Sequence, residues 1–174
     1  MTATEDVAAD GDAMADLPLL RPLSEAALRA AGVPAPFAFG QADRVRFHEL
    51  DVLDHVNNAT YLSWFETFRI AYLRAYGLGD YTDAVTRPAL ILKQVAVAYH
   101  RPLHLEQVYI VTGRTRAYRR TSWTMEYRVY ADGAHRTTGE AVICLMEPDF
   151  ATRKALPDAY VAAFRDRDGA AFEG

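Results

Sequence analysis

Residues 46–77 read RFHELDVLDHVNNATYLSWFETFRIAYLRAYG, and the order of elements within them decides the fold. A short polar strand end leads into an acidic loop, Glu49 to Val56, which carries Asp51, Asp54 and His55. Beyond it Tyr61, Phe65, Phe68, Tyr72 and Tyr76 recur at helical spacing, while Leu62, Trp64, Ile70 and Leu73 widen the apolar surface past a single stripe. Asn57 or Asn58 can cap this helix, because an asparagine side chain accepts from the free N–H groups of a first turn. Gly77 supplies a left-handed stop, and Leu78 is placed to close over the last turn. A helix of about five turns that is apolar on most sides must be covered, and the segments after it are strands.

Upstream, Val45 and Phe47 alternate with Arg44, Arg46 and His48, so Gln41 to His48 reads as a first strand. Downstream of Pro88 the run ALILKQVAVAY is apolar on both faces and suits a centrally buried strand. Val108, Ile110 and Thr112 begin another strand. Thr121 to Tyr130 then puts Trp123, Met125, Tyr127 and Val129 on one face, opposite Ser122, Thr124, Glu126, Arg128 and Tyr130. Asp132-Gly133 is a hairpin signal, and His135 to Glu147 forms the last strand, with Val142, Cys144 and Met146 on one face and Ala141, Ile143 and Leu145 on the other. Strand, long helix and four successive strands make an α+β arrangement, not a doubly wound one. We expect one curved antiparallel sheet of about five strands wrapped round the long helix. Its edges and open face call for a second copy, hence a homodimer or homotetramer.

Around this unit, residues 1–20 are small and acidic and read as a flexible arm. Residues 21–40 form a leader with a short helix between Ser24 and Gly32, ended by Pro34 and Pro36 and docked by Phe37 and Phe39. The domain itself covers 41–150, and 151–174 hold a closing helix, Pro157 to Arg165, and a frayed tail. A chain of 174 residues suits one domain. A net charge of −4 argues against nucleic acid as partner, and no apolar run approaches a membrane span. The single cysteine, Cys144, rules out an intrachain disulfide and reads as a small buried strand residue. The acidic start is the wrong charge for a targeting signal, so the cytoplasm is the expected location.

Asp51, His55, Val56, Asn57, Asn58, Tyr61 and Glu66, in LDVLDHVNNATYLSWFE, resemble the signature of the hotdog-fold thioesterases, in particular the 4-hydroxybenzoyl-CoA thioesterase-like group and the plant acyl-ACP thioesterases. The resemblance spans about residues 41–147. It implies hydrolysis of an acyl-CoA or acyl-carrier-protein thioester, with Asp51 as nucleophile or as base for the attacking water. A thioester needs an activated nucleophile and a donor for the developing oxyanion, and a helix starting near Asn58 offers free N–H groups and a positive dipole end. No metal or redox cofactor is required for that chemistry. Two positions depart from the pattern. Asp54 stands where many members of the first group have glycine, so the loop is expected to take a different path; Leu53 replaces the asparagine of the plant enzymes.

Each residue also has a structural reading. Asp51 can simply order the turn before a helix, and His55 can orient the loop instead of acting as a base. Asn57 and Asn58 are cap and turn residues as readily as substrate contacts, and Tyr61 is most simply core. Glu66, in mid-helix among apolar residues, should have a partner such as Arg69 or Arg74, or else line a site; it is the reserve catalytic carboxylate. Arg114, Arg116, Arg119 and Arg120 form the most basic segment. Arg116, Arg119 and Arg120 are candidates for CoA phosphates or an acidic carrier protein, against a solvated hairpin as the plainer reading. His100, His104 and Glu106 mimic metal spacing, but Pro102 breaks the helix that would align them. The competing functions are hydration or dehydration of acyl thioesters and a non-catalytic module that binds them.

Overall fold

The computed structural model describes residues 14, 16–85 and 87–174, so most of the predicted arm lies outside the described residues. Where that arm enters the described part it is docked: Leu19 bridges to Ala42, and the Leu20 N–H donates to the Ala42 carbonyl at 2.8 Å. Helix α1, Glu25–Ala30, starts as expected, with the Ser24 side chain accepting from Ala27 N. Gly32 follows at φ 82° in the left-handed region that glycine tolerates.

The first strand is shorter than its alternation implied. Strand β1 covers Gly40–Arg44, and Phe47–Glu49 forms a turn of 3-10 helix. Val45 is buried but Phe47 is 81% exposed, because the Glu49 carboxylate folds back to accept from Arg46 N and bends the chain out of the sheet. Helix α2 then runs Thr60–Ala75, two residues later than an Asn58 start. It stops as read: Gly77 sits at φ 71° and Leu78 N donates to the Leu73 carbonyl, with Leu78 buried.

The sheet is built from β2 (Ala89–Tyr99), β3 (Val108–Tyr118), β4 (Ser122–Ala131) and β5 (Ala134–Met146), in the order β1-β3-β4-β5-β2, all antiparallel. Asp132 and Gly133 take φ 51° and 66° and close the β4–β5 hairpin in the twist that the strands favour. Trp123, Met125, Tyr127 and Val129 point inward with Ala141, Ile143 and Leu145, and α2 lies against them through Tyr61, Trp64, Phe65, Phe68, Tyr72 and Leu73. Two glycines let the helix sit close. A Cβ on Gly139 would stand 2.6 Å from the Phe65 ring, and one on Gly113 would stand 2.9 Å from the Phe68 ring.

Three expectations are corrected. Helix α2 is buried on one broad face only, since Leu62 and Glu66 are exposed. Strand β2 is an edge strand, with Ile91, Leu92 and Tyr99 exposed; an apolar run on both faces does not distinguish a central strand from an edge awaiting a partner. The tail is ordered. Helix α3, Asp158–Asp168, packs Tyr160 and Phe164 on Trp123, and β6, Ala171–Phe172, pairs parallel with β3 at Ala117 and Tyr118. The leader adds a second apolar cluster, in which Leu23, Leu28, Val33 and Phe37 pack with Ile110 and Tyr130. Among the described residues no helix is long and apolar enough to cross a membrane.

Candidate active site

The loop between the 3-10 turn and α2 closes on itself. Leu50 and Val56 form an antiparallel bridge, Val56 N donates to the Leu103 carbonyl at 2.9 Å, and Asp51 N donates to the His55 carbonyl at 2.8 Å. Within this ring the Asp51 side chain is used asymmetrically. Its Oδ1 accepts from Leu53 N at 2.8 Å and His55 N at 3.3 Å, while Oδ2 takes no hydrogen bond among the described residues. The turn-ordering role is therefore real, and one oxygen carries it.

Asp51 lines an open cleft of about 330 Å³ together with Leu53, His55, Asn58, Tyr61, Tyr99 and Arg101. Asn57 braces the turn that leads into α2: its side-chain oxygen accepts from Ala59 N at 2.9 Å and its carbonyl from Thr60 N at 2.9 Å. Asn58 does not cap. Its carbonyl accepts from the Tyr99 hydroxyl at 2.9 Å, and its own N–H finds no acceptor among the described residues. Tyr61 is core, with its ring 4.9 Å from Trp64 and 5.1 Å from Tyr99, and burial raises its phenol pKa above the ordinary value. The cleft is thus lined by a residue with an unbonded carboxylate oxygen and by one with an unbonded backbone N–H, the two kinds of group that carbonyl addition needs.

The His55 ring packs edge-on against His104 at 5.0 Å, and His104 Nδ1 lies 3.2 Å from the Asp54 carbonyl. His100 belongs to another ring pair, with His135 at 4.9 Å. Asp54 adopts φ 58° in the left-handed region that glycine tolerates best. The loop thus holds a side chain in a conformation where glycine would be unstrained. Asp54→Gly is therefore expected to keep turnover within about twofold and to change stability by less than about 1 kcal/mol, because relief of strain opposes added chain entropy. Thiol-release assays and thermal melts would check this.

Glu66 does not join the cleft. It is exposed, has no ion pair among the described residues, and lines a separate cavity of about 230 Å³ with Arg69, Ile70, Leu73, Tyr81 and Leu92. Its expected partners are engaged elsewhere, Arg69 with the Tyr127 hydroxyl and Arg74 with Asp80. Tyr81 and Leu90 are shared with a larger groove of about 740 Å³ that reaches Phe150, Lys154 and Tyr160.

The arginines divide by role. Arg114 is structural, pairing with Glu126 at 2.5 Å and donating to the Asp168 carbonyl. Arg116 pairs with Glu140 at 3.2 Å. Arg119 and Arg120 line a cavity of about 390 Å³ with Lys93 and Arg153. Strand β5 aligns Cys144 with Ser122 and Thr137 with Tyr99, so the arginine turn and the Asp51 cleft are about 23 Å apart along the sheet. The residue that sequence reading missed is Glu49, 7% exposed, whose carboxylate binds both the turn before the loop and Trp64 in the helix after it. The spacing Arg46 to Glu49, a reach-back across one turn, was its only local sign.

Residues 45–164 match the family model of the thioesterase-like superfamily. A thioesterase-superfamily structure from Jannaschia sp. CCS1 is 41% identical, covers 88% of this chain and 97% of its own, and superposes with a TM-score of 0.82. A thioesterase from Thermus thermophilus, solved with coenzyme A and Zn, is 32% identical over 74% of this chain and 93% of its own, TM-score 0.64. The acyl-CoA thioester hydrolase YbgC of Escherichia coli is 24% identical over 70% of this chain and 92% of its own.

Proposed function

The chain belongs to the thioesterase-like superfamily and is a thioester hydrolase of hotdog fold, and from that premise we propose that it cleaves an acyl-CoA to a free acid and a thiol in the cleft at Asp51. The observation that carries the assignment is the divided carboxylate: Oδ1 is held by two backbone donors, and Oδ2 takes no hydrogen bond among the described residues in a cleft that Asn58 also lines. Oδ2 attacks the thioester carbonyl carbon or takes the proton of a water that does. The C–S bond then breaks: on the water route Asp51 passes the proton it took to the departing thiolate, and on the nucleophile route the thiolate takes a proton from solvent while a water hydrolyses the acyl–Asp51 anhydride to free acid and carboxylate. Asn58 N–H, at the positive end of α2, supports the oxyanion. His55 steadies the loop through His104, Tyr61 lines the cleft, and Asn57 braces the turn into α2 beside it.

An apolar cavity lined by Ile70, Leu73, Leu90 and Leu92 lies toward the Ala89 end of β2, away from the Asp51 cleft. Antiparallel pairing of β2 with β2 of a second copy would set the Tyr99 end of one chain against the Ala89 end of the other. That brings the partner's apolar cavity to Asp51 and covers Val52 and Leu53, which are 98% and 68% exposed in the single chain. We therefore read the working unit as a homodimer, with any tetramer built from it. Arg119, Arg120, Lys93 and Arg153 offer the site for the nucleotide phosphates, while Arg116, outside that lining, is held by Glu140. The same cations suit the acidic surface of an acyl carrier protein. The lone buried thiol, Cys144, fits a reducing compartment, and we place the protein in the cytoplasm.

Thiol release from a panel of short, long and aromatic acyl-CoA and acyl-carrier-protein thioesters, with sedimentation of the same sample, tests this reading. Turnover by a species of twice 19.4 kDa or more is expected. Saturable acyl-CoA binding with no thiol released would make the protein a binding module instead.

A further inference from the structure

The geometry points to Glu49 as a positioning residue for this reaction, a buried carboxylate that clamps the Asp51 loop to the start of α2. The inference rests on the reading that Asp51 acts. Oε2 of Glu49 accepts from Arg46 N at 2.7 Å, and Oε1 accepts from the Trp64 indole N–H at 2.8 Å. Its backbone carbonyl accepts from Asn57 N at 2.8 Å and from the Thr60 hydroxyl at 3.4 Å. One residue thus binds the turn before the loop, the residue that ends the loop, and the first two turns of the helix that supplies the oxyanion donor. Trp64 is itself immobilised, stacked on Tyr109 with ring centroids 3.9 Å apart. Asp51 lies two residues from this clamp and Asn58 one residue past Asn57, so the clamp holds both ends of the loop that carries them.

The chemistry of the clamp demands a carboxylate. Both of its side-chain partners are donors, so both oxygens must accept. A glutamine keeps the shape but turns an NH₂ group against either Arg46 N–H or the Trp64 N–H. One connection is lost and replaced by donor facing donor. Displacement of the loop by about an ångström costs catalysis up to a hundredfold without removing any group that touches substrate.

The test compares Glu49→Gln, Trp64→Phe, the double variant and Asp51→Asn in the full-length enzyme, assayed for thiol release well below each melting midpoint. We expect Glu49→Gln and Trp64→Phe each to lower kcat about ten- to thirtyfold with KM within about threefold of wild type. The double variant should be no slower than Glu49→Gln alone, because a phenylalanine ring in place of the indole presents no N–H and the glutamine oxygen is free to serve Arg46 N. A purely structural role would instead lower the melting midpoint and leave kcat per folded molecule unchanged. If Glu49→Gln does not fold, Trp64→Phe carries the same comparison. Wild-type kcat in folded Glu49→Gln or Trp64→Phe, beside an inactive Asp51→Asn, overturns the clamp alone. Full turnover in Asp51→Asn overturns the reading of the site on which it rests.

Discussion

Asp51→Asn is expected to lower kcat about a thousandfold while leaving the melting midpoint nearly unchanged. The two halves of that result come from different oxygens. Asparagine keeps an acceptor for Leu53 N and His55 N, so the turn that Oδ1 orders survives. What it lacks is the charge on Oδ2, and an amide neither attacks a thioester carbonyl nor takes a proton from water. Had Asp51 served only the turn, the substitution would be silent in both measurements. Glu66→Gln is the paired control and should stay within about threefold. Its α-carbon lies six residues beyond the first residue of α2, about 9 Å along the axis, in a cavity that Asp51 does not line. Retained turnover in Asp51→Asn with loss in Glu66→Gln would move the catalytic carboxylate from the loop to the helix.

The features legible in the sequence are those that a few neighbouring residues settle between themselves. The inward file Trp123, Met125, Tyr127 and Val129 follows from alternation, the β4–β5 turn from Asp132-Gly133, and the end of α2 from Gly77. Asp51 stood out in the sequence through the family resemblance of its loop, while the loop alone left a turn-ordering role as open as a catalytic one. Features that depend on distant residues were not visible. Whether β2 is central or an edge depends on what lies beside it, and its residues carry the same apolar pattern in both cases. Glu49 looked like one more acid in an acidic loop, since its second partner, Trp64, is 15 residues away. The helix start moved from Asn58 to Thr60 because Asn57 uses both its side chain and its carbonyl on the first donors, a choice between adjacent asparagines that spacing alone leaves open.

Asp168→Ala should be the most damaging single change to stability outside the apolar core, lowering it by about 3–5 kcal/mol and the melting midpoint by about 10 °C. Asp168 ends α3 and is 5% exposed. Its Oδ2 accepts from the Tyr72 hydroxyl at 2.6 Å and Thr115 N at 2.7 Å, and Oδ1 accepts from the Tyr76 hydroxyl at 2.5 Å. Burial pushes this carboxyl above its ordinary pKa, and the three donors with Arg114 pull the other way. A carboxylate sunk this deep is costly to desolvate and is held by those bonds. Alanine leaves two tyrosine hydroxyls and a strand N–H facing a void, and α3 loses its tie to both α2 and β3. Asparagine is expected to cost less, about 1–2 kcal/mol, because its oxygen still serves Tyr72 and Thr115 while its NH₂ donates to the Tyr76 hydroxyl, which can accept. The ranking separates a hydrogen-bonding role from a purely electrostatic one. Equal losses for Asn and Ala would mean that the charge, and not the pattern of acceptors, holds the C-terminal helix to the sheet.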